Sequence, residues 1–126
     1  MTERKVPSHR QLRVGEQIRH IVAQTLQRGH FHDPALFDAA GRVTVSEVRV
    51  TPDMRHATAW VMSLGGVGME AILPALNEAA PVFQKDINRG LGMKFTPKIR
   101  FEKDDSFEEA DKIERLLHTL PAPAEE

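Results

Sequence analysis

The chain has 126 residues, with 17 Lys and Arg against 18 Asp and Glu, eight Gly, eight Pro and no Cys. That length fits one domain, and the absence of cysteine excludes disulfides, thiol nucleophiles and Cys-based zinc or iron-sulfur sites, which suits a reducing cytoplasmic setting. No segment approaches the ~20 apolar residues of a membrane span, and Met1 to Lys5 lead into polar sequence, so neither export nor membrane insertion is expected. The net charge of -1 conceals an asymmetry. Residues 1–100 carry 14 Lys or Arg and 9 Asp or Glu, whereas residues 101–126 carry 3 and 9. A basic body with an acidic tail points to an anionic partner for the body.

Ser8 with Gln11 three residues later has the form of a capping box, so a helix is expected to start there. Val14, Ile18, Ile21, Val22, Thr25 and Leu26 recur at spacings of three and four as its apolar stripe, and Gly29 supplies a left-handed stop. Arg10, Arg13, Gln17, His20, Gln24 and Arg28 fall on the opposite face. His30 to Pro34 reads as a loop, because Asp-Pro favours a turn. Val43 and Val45 alternate in one phase and Val48 and Val50 in the other, which requires an extra residue near Ser46-Glu47, hence a bulged strand. Thr51 to Met54 makes the turn, and Ala57 to Leu64 is the hairpin partner.

Gly65-Gly66-Val67-Gly68 lacks the Lys-Ser/Thr of a phosphate-binding loop and reads as a connector. A short helix follows with Ile72, Leu73 and Leu76 as its apolar face, and Pro74 is expected in its first turn or at a kink. Ala79-Ala80-Pro81 breaks it, with Pro81 opening the next helix. Val82, Phe83, Ile87 and Leu91 form that helix's apolar side, Gln84, Lys85, Asn88 and Arg89 its polar side, and Gly90 and Gly92 its end. Phe95, Pro97, Ile99 and Phe101 alternate with Lys94, Thr96, Lys98 and Arg100 as a third strand. Ser106 with Glu109 then repeats the capping box, and Phe107, Ala110, Ile113, Leu117 and Leu120 continue as a helical stripe. Residues 121–126 are expected to be disordered.

Catalytic chemistry finds little support. His30, His32 and Asp33 lack a fourth zinc ligand, and Asp104, Asp105, Glu108, Glu109 and Asp111 lack the glycine and spacing of a calcium loop, so exposed histidines and a helix-start charge cluster explain them. No nucleophile elbow, Walker motif, dinucleotide fingerprint or zincin motif is present. No metal, cofactor or small-molecule substrate is expected. Trp60 and the phenylalanines lie in apolar patterns, which argues against a base-stacking platform. Two basic surfaces remain: Arg10, Arg13 and Gln17 on the first helix, and Gln84, Lys85, Asn88 and Arg89 on the third with Lys94 beside them. Mostly phosphate contacts are expected there.

The element order, helix, strand, strand, helix, kink, helix, strand, is that of an α+β type II KH-like domain, here without the Gly-X-X-Gly loop. The chain also resembles the bacterial ribosome-binding factor A family. The stretches that carry the resemblance are Ser8 to Arg13, His32-Asp33-Pro34, Val45 to Asp53, Ala57 to Val61, Ala75 to Ala80, and Pro97 to Phe101 with Asp105-Ser106, together spanning roughly residues 8–120 in order. The resemblance implies a non-enzymatic factor that binds the small ribosomal subunit and its ribosomal RNA late in maturation and leaves before translation. It also implies a helix kink on Ala79, Ala80 and Pro81, with Pro81 standing where the family pattern has Gly.

The expected organisation is a KH-like RNA-binding domain over 8–103, a peripheral acidic helix over 104–120 and a tail over 121–126, in a monomer. Two other classes remain open. The chain would be a protein-protein adaptor docking through its acidic helix, distinguished by RNase-insensitive association with ribosomal particles, or a small hydrolase, distinguished by turnover that is lost on mutation.

Overall fold

The computed structural model describes residues 6–106 together with Leu116 and Leu117. Helix α1 spans His9–Arg28, and Ser8 caps it as its sequence requires. The Ser8 hydroxyl accepts from the Gln11 amide at 3.1 Å, and the Gln11 side chain accepts from the Ser8 amide at 2.9 Å. Gly29, with φ of 66°, closes the helix. The expected loop holds over His30 to Asp33, and a short helix not expected from the sequence begins at Pro34. Asp33 accepts from the Ala35 amide and Pro34 opens α2 (Pro34–Ala39), which buries Leu36 and Ala39. Pro34 acts there as a first-turn residue, where its missing amide hydrogen costs nothing, rather than as a breaker.

Strands β1 (Val43–Val50) and β2 (His56–Ser63) pair antiparallel, and the register shifts between Val45 and Glu47. The extra residue is Ser46, so all four valines reach the core face, as the change of phase demands. Helix α3 (Met69–Glu78) carries Pro74 as its sixth residue, beyond the first turn, where the side chain is exposed. Helix α4 (Ala80–Leu91) follows after one intervening residue, and β3 (Lys98–Lys103) pairs parallel to β2. Two boundaries differ from expectation. Gly90 lies inside α4, which ends at Gly92, and β3 starts three residues after Phe95.

The sheet order is β1-β2-β3, and α1, α3 and α4 pack on one face of it. The core therefore lies between one helical layer and the sheet: Ile18 and Val22 from α1, Leu76 from α3, Phe83 and Ile87 from α4, Val61 from β2 and Phe101 from β3. Phe83 is its hub, stacked on Phe31 at 5.5 Å and edge-on to Phe101 at 4.8 Å. Two close crossings set the layer. An added Cβ on Gly15 would stand 2.7 Å from the Val48 carbonyl oxygen, and one on Gly90 would stand 2.6 Å from Ile21 Cδ1. Glycine thus lets α1 lie directly over β1 and lets α4 lie directly against α1.

This α+β arrangement is the KH-like fold read from the element order. No described helix is long and apolar enough to cross a membrane. Ser106, Leu116 and Leu117 have helical backbone; the remainder of the expected acidic helix and the 121–126 tail lie outside the described residues.

Candidate nucleic-acid interface

The site is built around the joint between α3 and α4. Ala79 alone separates the two helices, at φ -84° and ψ 5°, with its amide donating back to Ala75 and its carbonyl accepting from Val82. None of Ala79, Ala80 and Pro81 has a positive φ, and Pro81 lies in the first turn of α4, where its missing amide hydrogen costs nothing, so Pro in place of Gly is accommodated. Helix α4 begins at Ala80, with Pro81 second rather than first.

Side chains on either side of the joint hold the outer edge of β3. Asn77 Oδ1 accepts from the Phe101 amide at 2.8 Å while its Nδ2 donates to the Phe101 carbonyl at 3.1 Å. Gln84 Oε1 accepts from the Ile99 amide at 2.9 Å, and its Nε2 donates to the Pro97 carbonyl at 3.0 Å. The Lys98 and Asp104 amides instead donate towards the β2 side. Alternate amides of β3 therefore face away from the sheet, and two helical amides supply the partners that a fourth strand would have given. Gln84, expected on the free polar face of α4, is thus engaged inside the fold. Asn88 is engaged as well, accepting from both Gln84 and Thr96.

The cations of this region are free of such ties. Two grooves meet at Thr96. The first, about 640 Å³, runs along α4 and β3 past Pro81, Lys85, Asn88 and Lys98. The second, about 760 Å³, lies between the start of α1, the β1–β2 turn and the segment before β3, and takes in Arg10, Asp53, Arg55, Lys94 and Phe95. Arg10, Arg55, Lys85 and Lys98 have no ion-pair partner among the described residues, and Lys94 lies 5.6 Å over the Phe95 ring. The single acid among the described residues of either lining, Asp53, accepts from the Thr51 hydroxyl at 2.6 Å and the Arg55 amide at 3.1 Å. The Thr51 hydrogen bond, with that from Arg55, holds its carboxyl below the usual carboxylate range.

Several acids elsewhere are engaged locally: Glu16 by Arg19, Asp86 by Arg28, Glu47 by Arg49 and Glu102 by Arg100. Arg10, Arg55, Lys85, Lys94 and Lys98 line the grooves with no ion-pair partner among the described residues, while Arg13, Arg42 and Arg89, which also have none there, lie outside both linings. Arg89 lies beyond Lys85 in a smaller hollow with Arg28 and Asp86.

The structure gathers Arg10 and Lys94 in one groove and Gln84, Lys85 and Asn88 in the other, whereas Arg13 and Gln17 are exposed on α1 outside both linings. Three contributors escaped the sequence reading. Lys98 and Arg55 read in the sequence only as members of a strand and a turn, and Phe95, which alternates there with an apolar strand face, is 78% exposed. Trp60 also departs from expectation. Ala57, Ala59 and Val61 fill the core side of β2, and Trp60 lies half-buried on the opposite face, in register between Glu47 and Glu102.

Residues 10–117 match the family described as ribosome-binding factor A. The chain belongs to that family. A ribosome-binding factor A of Rhodospirillum rubrum is 43% identical over 117 residues, covering 93% of this chain and 70% of the relative. One of Rhodopseudomonas palustris is 46% identical over 112 residues, covering 89% and 80%. Among solved structures, the crystal structure of ribosome-binding factor A from Thermus thermophilus matches with a TM-score of 0.61 at 24% identity, over 74% of this chain and 94% of that one. A homology model of the same organism's factor, fitted into a cryo-EM map of its complex with the 30S subunit, matches with a TM-score of 0.57 at 20% identity, over 75% and 96%. Both likenesses agree with the fold already described.

Proposed function

We propose that this chain is a non-enzymatic, monomeric RNA-binding factor that acts in the cytoplasm on free small ribosomal subunits late in their maturation and leaves before translation. The observation that carries the reading is the pair of adjoining grooves, lined by Arg10, Arg55, Lys85, Lys94 and Lys98 against one acid, Asp53, among the described lining residues. Family membership and the Thermus factor's complex with the 30S subunit support the choice of partner. The KH-like unit over 8–103 supplies the binding surface, and no cofactor enters. The mechanism is occupancy: the factor holds immature ribosomal RNA in one arrangement because it binds that state more tightly than its alternatives. Phosphate contacts from mobile Lys and Arg side chains position the RNA, and the fixed groove walls select its shape.

The test is cosedimentation with free small subunits and with assembled ribosomes, with and without RNase. Association with free subunits that RNase abolishes is expected; RNase-insensitive association would favour a protein-protein adaptor. Changing Lys85 and Arg89 together to Glu is expected to weaken association without unfolding the protein, since exposed substitutions cost within about 0.5 kcal/mol. On single-stranded RNA, each cation that no longer neutralises a phosphate lowers the magnitude of the log-affinity against log-salt slope by about 0.7, so the pair predicts a fall of about 1.4. An unchanged affinity and slope would remove α4 from the RNA-facing surface.

A further inference from the structure

We propose that Phe95 is the stacking platform of a subsite for one unpaired nucleotide, in the groove between the start of α1, the β1–β2 turn and the segment before β3. The inference rests on the RNA-binding reading above and deepens it, by assigning single-stranded rather than duplex RNA to this part of the surface.

The ring is 78% exposed, whereas Phe31, Phe83 and Phe101 are buried in the core. Packing therefore gives no reason for a phenyl group at this position. One face of the ring carries the Lys94 ammonium, 5.6 Å from the centroid, and the high exposure leaves the remainder of the ring to solvent. A base stacked on that free surface would lie beside a cation already placed to meet its phosphate.

Two more cations, Arg10 and Arg55, line the same groove. Asp53 keeps its negative charge in that lining, its carboxylate held by the Thr51 hydroxyl and the Arg55 amide, and Arg10, Arg55 and Lys94 outnumber it. The groove is also held in place. The Met54 amide donates to the Thr51 carbonyl at 2.8 Å, closing the turn, and the Lys98 amide donates to the Arg55 carbonyl at 2.8 Å, tying the turn to β3. Stacking on a phenyl ring needs a base out of its helix, which excludes a paired nucleotide and tolerates any base identity. Thr96 lines this groove and the neighbouring one, so an RNA strand that leaves Phe95 passes directly to Lys98 and Lys85.

The test uses the full chain with a single-stranded RNA of about eight nucleotides, a length within the usual site sizes for such surfaces, carrying 2-aminopurine, whose fluorescence reports stacking. A hairpin duplex of the same composition is the comparison. Phe95→Leu keeps an apolar side chain but removes the ring, and should weaken single-strand binding by about five-fold or more and abolish the fluorescence change. Phe95→Trp should retain both, and duplex binding should be the same in all three proteins. Thermal unfolding should not move, since the ring is exposed.

Single-strand binding by Phe95→Leu within about two-fold of the parent would overturn the subsite, as would an equal loss for single strand and duplex. Binding of poly-glutamate with the same dependence on Phe95 would also overturn it, making the groove a docking place for an acidic polypeptide. The broader reading is separated by cosedimentation. If Phe95→Leu sediments with small subunits like the parent while the Lys85/Arg89 double variant does not, RNA binding stands without the subsite. If neither substitution affects sedimentation and the association also resists RNase, the RNA-binding reading itself fails.

Discussion

Asp104 shows how a single carboxylate ties the end of the sheet together. Its oxygens accept from the Ser106 hydroxyl, from the Ser106 amide at 2.9 Å and from the hydroxyl of Ser46, the bulge residue of β1. The Ser106 hydroxyl first, then Ser46 and the Ser106 amide, hold the carboxyl below the usual carboxylate range. A depressed folded value means that the stabilisation is complete above the ordinary carboxylate pKa of about 3.9 and is lost as the pH falls through the lower folded value. Asp104→Asn should therefore lower the melting temperature at pH 7 and have little effect near pH 2. An equal melting difference at both pH values would show that charge is not what those hydroxyls stabilise. The Ser8 and Gln11 box was legible because both partners lie within one helical turn, whereas Ser46 and Asp104 are 58 residues apart and only the folded sheet brings them together. Size and apolarity do not settle the side of β2 on which Trp60 lies, because small residues such as Ala57 and Ala59 suit the close approach of the helical layer, and Phe95 alternates with the β3 residues in sequence yet lies before the strand begins.

Between elements, the informative feature is the outer edge of β3. An unpaired edge invites association with another strand, and covering it with helical side chains removes that risk. Gln84→Leu keeps the volume but leaves the Ile99 amide and the Pro97 carbonyl without the partners they now have, at a cost of about 1–3 kcal/mol. Urea denaturation should read that loss, and cosedimentation of the folded fraction with small subunits should be unchanged. A stability change under about 0.5 kcal/mol would mean that water replaces the amide; weakened subunit association at unchanged stability would return Gln84 to the RNA-contacting set. No local pattern discloses this role, because it depends on which side of β3 meets β2. The bulge in β1 was readable, since the valine phase changes within the strand itself. Helix α2 was not, because six residues with two buried anchors carry too little periodicity, and Pro34 has opposite meanings inside a turn and at a helix start.

At the scale of the whole chain, charge is divided along the sequence more sharply than the net value suggests. Residues 107–126 hold six acids and two bases, so a chain ending at Ser106 changes from -1 to +3. The KH-like sheet and its helical layer are complete by Lys103, and the described core draws on no residue beyond Phe101. The shortened chain is therefore expected to unfold cooperatively with a melting temperature close to that of the parent. It should also bind free small subunits more tightly, because removing four net negative charges lessens repulsion from the phosphate backbone. This repulsion acts through solvent over distances comparable to the Debye length of about 10 Å at 0.1 M salt. The gain should accordingly be largest at low ionic strength and vanish towards 1 M. Salt titrations of both chains distinguish this long-range effect from a structural one. Convergence at high salt supports electrostatic tuning by the acidic segment, while a gain that persists there would mean that the segment covers part of the binding surface. Loss of cooperative unfolding would instead place Phe107 and Ile113 in the main core, against the division of the chain at residue 103, whereas Leu117 is exposed.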